Sequence, residues 1–153
     1  MDIGPFQAYG LEVPEGKDIW RPALKGLNIR VGPNLEATVC FDTERMRLAA
    51  GWVGGFLKLP TGRDGLQGVP QPVGEILYRT RMAPGWAGPK GGWKSPRPPT
   101  IKGRDVYSFG PLPREWARWR GHYRAGQRVV LSYTVGNTEV LEMPDYHPAV
   151  GGI

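Results

Sequence analysis

The chain reads as a mainly β domain, either an antiparallel β-sandwich or a partly open barrel, with long Pro/Gly-rich loops and at most one short helix. Three features carry that reading. Residues 128–143 form two β-rich runs joined by Gly136-Asn137, the signal of a tight hairpin. Ala37, Val39 and Phe41 alternate with Thr38, Cys40 and Asp42, the two-residue period of a strand. Gly 23 and Pro 16 recur between the apolar runs, which favours frequent turns over long helices. Six Trp argue against disorder despite that composition, because aromatics in such number anchor a core.

The elements follow in order. Residues 1–25 read as an extended N-terminal arm, with Leu11-Glu12-Val13 as a short strand and Trp20 pinning the arm to the body. A single β domain spans 26–144. It opens at 26–31, where Leu27, Ile29 and Val31 alternate with Asn28 and Arg30 before the turn Gly32-Pro33-Asn34. In the next unit, 37–59, the connection Thr43-Glu44-Arg45-Met46 sets Asp42 opposite Arg47 and Leu48 opposite Phe41. The same register puts Ala50 opposite Val39 and Trp52 opposite Ala37, so one face is wholly apolar. The Asp42–Arg47 pair then lies on the other face and adds roughly a few tenths of a kcal/mol. Gly51, Gly54 and Gly55 mark a bulge or a close backbone approach, and Phe56–Leu59 reads as a return strand. Residues 60–74 read as a loop and 75–80 as a short strand. Residues 83–113 form a long Pro/Gly-dense segment whose Trp86, Trp93, Tyr107 and Phe109 hold it to the body. Pro113 to Gly121 fits one or two helical turns, with Trp116 and Trp119 three apart on one face. The Gly136-Asn137 hairpin closes the domain at Pro144, and 145–153 is a tail.

Lys+Arg 20 against Asp+Glu 14 gives a net charge of +6 and a pI of 9.7. The basic residues are scattered, so the surface reads as a solvating one and nucleic acid is not expected as a partner. No apolar run reaches the roughly 18 residues of a membrane span. The opening Met1-Asp2-Ile3-Gly4-Pro5-Phe6 lacks the basic and apolar regions of a signal peptide. Cys40 is the only cysteine and sits inside an apolar run, as a small core residue does; it forms no intrachain disulfide and no Cys-rich zinc site. His122 and His147 each lie beside a tyrosine, with no attachment motif near them, and no metal site is assigned.

No phosphate loop, zinc-protease or nucleophile-elbow pattern occurs, and no catalytic residue is assigned. Gly51-Trp52-Val53-Gly54-Gly55 lacks the Lys and the following helix that a phosphate loop needs. Two candidate groups remain. Asp42, Glu44 and Arg45 share one tight turn. Neighbouring carboxylates can share a metal or a proton, but a turn aspartate more commonly accepts a backbone N–H, and that structural role is preferred. The ligand-binding candidates are Trp86, Trp93, Tyr107, Trp116 and Trp119. They suit a stacking platform for a sugar or base, or a lid over a sheet face; the lid is preferred, because Pro and Gly hold a loop still only when something packs beneath it.

Several segments together resemble a known family. They are Met1–Phe6, Val39-Cys40-Phe41-Asp42-Thr43, Arg47 through Leu57, Pro84-Gly85-Trp86-Ala87, Gly110 through Trp116, Gly121-His122-Tyr123 and Val129 through Gly136. The pattern resembles an uncharacterised domain, a domain of unknown function, near the N-terminus of large secreted bacterial proteins. Those proteins are similar to haem-binding, c-type-cytochrome-bearing dehydrogenases. The resemblance covers nearly the whole chain. It implies a periplasmic or secreted setting, with neighbouring domains of a larger redox protein as partners. It places haem attachment elsewhere in such proteins, so no cofactor is expected in this chain. The chain ends soon after Met143 where the family's chains continue, which points to a fragment or a split gene. The expected function is a non-catalytic accessory or interaction module; the alternative is a carbohydrate-binding module that holds polysaccharide on the loop tryptophans.

Overall fold

The computed structural model describes residues 4–15, 18–61, 68–94 and 111–153. Twelve strands and no helix occur among them, so no described helix is long and apolar enough to cross a membrane. Five strands make the central sheet: β1 (Phe6–Ala8), β4 (Gly26–Val31), β5 (Ala37–Asp42), β6 (Arg47–Val53) and β9 (Glu75–Arg79), antiparallel in the order β1-β4-β5-β6-β9. A second sheet, β10 (Ala117–Ala125), β11 (Arg128–Val135) and β12 (Thr138–Glu142), packs on one face of it. The hairpin of β2 (Leu11–Glu15) and β3 (Asp18–Ala23) covers the other face. A small pair, β7 (Leu57–Lys58) and β8 (Gln71–Pro72), lies outside both sheets. The antiparallel sandwich expected from the sequence is thus present, with the hairpin as an added third layer.

Each interface of the sandwich has its own core. Leu27, Ile29, Val39 and Phe41 meet Val129, Leu131 and Tyr133 between the two sheets. Leu11, Val13 and Ala23 meet Cys40, Ala50 and Trp52 beneath the hairpin. All six residues of β5 are buried, because both of its faces are covered. The described part of segment 1–25 therefore supplies an edge strand and three of the eight buried hydrophobic residues of the second core. Trp20 packs against that core, with the Arg79 guanidinium 5.5 Å from its ring centroid.

The register of β5 and β6 departs from the sequence reading at one residue. Asp42 faces Arg47 and Phe41 faces Leu48, as expected. Beyond them Ala49 is an extra residue, and the pairs become Cys40–Ala50, Val39–Gly51 and Thr38–Trp52. Thr80 holds this bulge. Its N–H donates to the Ala49 carbonyl at 2.9 Å, and its hydroxyl lies 3.2 Å from the carbonyls of Leu48 and Ala49. The slip sends Leu48 and Trp52 to opposite faces, so the expected single apolar face is replaced by two. It also leaves Gly51 where a Cβ would collide with Tyr78 and Ile153.

Three further expectations change. The Asp42–Arg47 pair is buried, not an exposed cross-strand pair. Phe56–Leu59 contributes β7, which pairs with β8 inside the segment read as a loop. Pro113 to Gly121 is not helical. One turn closes from Trp116 and Ala117 N–H to the Pro113 carbonyl, and the chain then extends into β10, whose pairing with β11 outweighs the local helix signal. The Gly136-Asn137 hairpin stands as read, with positive φ at Gly136.

Candidate functional site

Of the five aromatics grouped by the sequence, four are described, and they differ in burial and neighbours. Trp116 is buried; its Nε1 donates to the Trp86 carbonyl at 3.1 Å, and Gly88 packs against its ring. Trp86 is 38 % exposed and lies over Tyr133, ring centroids 6.3 Å apart. Trp93 is 61 % exposed. Trp119 is half-buried on β10, 5.7 Å from Phe41. Tyr107 lies outside the described residues. At the start of this segment Pro84 is buried, and Gly85 approaches so close that a Cβ would run into the Met46 carbonyl.

The turn cluster is closed to solvent. Asp42, Glu44 and Arg45 are buried. Asp42 Oδ1 accepts from the N–H groups of Glu44 and Arg45 at 3.0 and 3.2 Å, as a turn aspartate does. Its Oδ2 lies 3.5 Å from Arg47 and 3.7 Å from Arg45. Arg47 also donates to the Pro22 carbonyl at 2.6 Å and to the Thr80 hydroxyl, and Glu44 pairs with Lys25 at 3.2 Å. Burial pushes the Asp42 carboxyl above its usual range, against the pull of Arg47 and Arg45. Burial likewise pulls Arg47 down, against Asp42. The cluster ties β3, β5, β6 and the β9 end together. No group of three His, Cys, Asp or Glu suited to a metal occurs among the described residues.

Cys40 is fully buried beside Gly26, and burial drives its thiol far above the ordinary range. The native chain is expected to resist iodoacetamide at least roughly a hundredfold longer than the urea-unfolded chain, because the thiolate needs opening of the core to form. Mass spectrometry of the alkylated chain checks this, and equal rates would contradict it.

What the structure does assemble is a groove at the open side of the sandwich. It is about 440 Å³, mainly apolar, and lies between Tyr9-Gly10, Leu24 to Leu27, and Trp119 with His122. Two local devices build it. In β10 the register slips at Arg120–Gly121, where Gly121 has φ +138°. Residues three apart on a regular strand point to opposite faces, but the slip brings Trp119 and His122 to the same inward face. Their rings stack at 6.4 Å and 26°, and Phe6 meets His122 edge-on at 4.5 Å. The opposite wall is two backbones pressed together. Tyr9 N–H donates to the Gly26 carbonyl at 2.9 Å, and a Cβ on Gly10 would sit 2.7 Å from the Leu24 carbonyl. Asn28 completes this wall by donating to the Tyr9 carbonyl at 3.0 Å.

Sequence reasoning finds Trp119 but misses Tyr9, Gly10, Gly26 and His122 as its companions. The available signal is the pair of glycines flanking the Leu11–Ala23 hairpin. His147, by contrast, lies far along the chain in the C-terminal turn, where its backbone bridges to Gly152. A larger cleft of mixed polar and apolar lining, about 500 Å³, opens at the other end of β4. There Asp145 accepts from the Gly32 and Tyr146 N–H groups and pairs with Arg128 at 3.4 Å, and Arg30 lines the same cleft.

A family model described as a domain of unknown function (DUF6797) matches residues 39–142, from β5 through β12. No curated protein and no solved structure matches the chain. The matched stretch includes Thr43, Trp119 and His122 of the groove but not its Tyr9–Gly10 and Leu24–Leu27 wall. The chain belongs to the DUF6797 family.

Proposed function

We propose that this domain is a non-catalytic accessory module of a larger extracytoplasmic redox protein, and that it holds its ligand in the groove walled by Trp119 and His122. The groove carries the reading. It is the concavity in which stacked rings and close-packed backbone form mainly apolar walls, and sites of that composition grip a ligand by its apolar surface. The buried acids of the β5–β6 turn are engaged by arginines and support a structural role rather than a reaction. The redox setting and the periplasmic or secreted location rest on the resemblance of the sequence segments quoted above. In that setting any haem belongs to a neighbouring domain. Adjoining coding sequence that carries a CxxCH motif would support this setting, and adjoining sequence without one would count against it.

A second reading, carbohydrate binding, is favoured by the exposure of Trp86 and Trp93. One titration separates the two. Indole and cellohexaose are added in turn to the ¹⁵N-labelled chain. Indole is expected to move the amides of Tyr9, Gly10, Gly26 and His122, with affinity at least about tenfold weaker in Trp119→Ala and unchanged in Trp93→Ala. Cellohexaose shifts that vanish in Trp93→Ala would move the site to the loop tryptophans. Indole shifts elsewhere, or equal in Trp119→Ala, would overturn the groove.

A further inference from the structure

Among the described residues no layer covers the outer face of the β10–β11–β12 sheet, and its composition is unusual for a solvated face. Trp119, Leu131 and Tyr133 point inward to the core, so the alternate residues point out. Tyr123 faces Val130 across the first pair of strands, and Ser132 faces Leu141 across the second. Met143 follows β12 beside them. Tyr123, Leu141 and Met143 are 62 %, 69 % and 44 % exposed. They form one contiguous apolar patch rather than scattered single side chains. Gly121 lies in the same face opposite Ser132, and nothing comes within 4 Å of its Cβ position, which leaves a notch in the patch.

Arginines border this patch on β10. Arg118, paired with the outward Thr134, and Arg120, at the bulge, are exposed, and among the described residues neither has a carboxylate partner. Arg128, at the start of β11, is instead paired with Asp145 at 3.4 Å. Glu139 is the one exposed acid on the three strands. An apolar centre of Tyr and Met with Arg at its edge is the composition of a protein-docking surface. A second copy of the chain is disfavoured, because pairing this face with itself sets arginine against arginine.

We propose that the outer face of β10–β11–β12 docks an acidic protein surface with an apolar centre. Tyr123 and Leu141 supply the buried contact, Gly121 the notch, and Arg118 and Arg120 the edge that selects a negatively charged partner. The site is separate from the groove, which opens on the inward side of β10, so either can fail without the other.

The test is an NMR titration of the whole ¹⁵N-labelled chain with a synthetic peptide that has a Leu-Phe-Leu centre and three glutamates on each side. A twin with lysines in place of the glutamates is the control. Saturable shifts are expected at amides within 118–124, 130–134 and 139–143, and not at 8–10 or 24–27. Affinity should fall at least about fivefold as salt rises from about 50 mM to about 500 mM. Leu141→Glu, at an exposed position that leaves the fold intact, should weaken binding about tenfold, and so should Arg118→Glu with Arg120→Glu. Absence of saturable shifts, an equal response to the lysine twin, or shifts confined to the groove would overturn the proposal. Concentration-dependent shifts on this face without peptide would also overturn it, by making a second copy the occupant.

Discussion

Asp42→Ala is expected to destabilise the domain by about 3–5 kcal/mol, the cost of breaking a buried charge pair by removing one partner. Asp42 is fully buried, and its carboxylate is shared by the Arg45 and Arg47 guanidinium groups, also buried. Removing it takes away the negative charge that both arginines face and the acceptor for two turn amides. The loss exceeds that of a surface pair, about 0–1 kcal/mol, because water cannot re-solvate the arginines without opening the turn. Asp42→Asn keeps a side-chain oxygen for the Glu44 and Arg45 amides and should fall between wild type and alanine. Urea unfolding measures both variants. A loss below about 1 kcal/mol for Asp42→Ala would mean that the turn is hydrated and the cluster is not the lock described.

Trp52→Ala should cost a similar amount, about 3–5 kcal/mol, and lower the melting temperature by roughly 6–20 °C. The indole is fully buried under the β2–β3 hairpin and donates to the Phe56 carbonyl at 2.9 Å. Its removal opens a cavity in the smaller of the two cores and takes from the Phe56 carbonyl one of its two donors, leaving the Val73 N–H at 3.1 Å. Trp93→Ala, at a largely exposed residue, should stay within about 0.5 kcal/mol of wild type. The pair of variants thus distinguishes the buried tryptophan from the exposed one by calorimetry. Equal effects would contradict the burial assigned to Trp52.

Much of the sandwich is legible in the sequence because its hairpins are local. The Gly136-Asn137 turn and the Asp42–Arg47 closure bring partners together within a few residues, so pattern and turn chemistry specify them. The bulge at Ala49 is not legible. A methyl group fits either face of a strand, and the groups that hold the bulge come from Thr80, about thirty residues away. The third layer hides for a related reason. Residues 11–23 are short of long apolar runs, and they are fixed by β5 and β6, which come later in the chain.

The candidate site divides in the same way. Tryptophan surplus reveals that aromatics matter, but not which are covered. Trp116 becomes core because the Trp86 carbonyl and Gly88 close over it, whereas Trp119 stays at the groove because the sandwich is open there. His122 joins Trp119 through the slip at Gly121, which the helical pattern of Pro113 to Gly121 conceals. The Asp42 cluster is legible as a structural turn, although its burial is not, since the residues that cover it belong to β3 and the Pro84–Trp86 lid.

The groove exists because the hairpin folds back over the central sheet and presses Gly10 against Leu24. The side chain that reports this arrangement most directly is Trp52. Nuclear Overhauser contacts from its indole are predicted to reach the methyls of Leu11 and Val13, with none to Leu131 or Val129. Contacts to Leu131 or Val129 instead would place Trp52 between the two sheets, and both the bulge and the three-layer arrangement would be wrong.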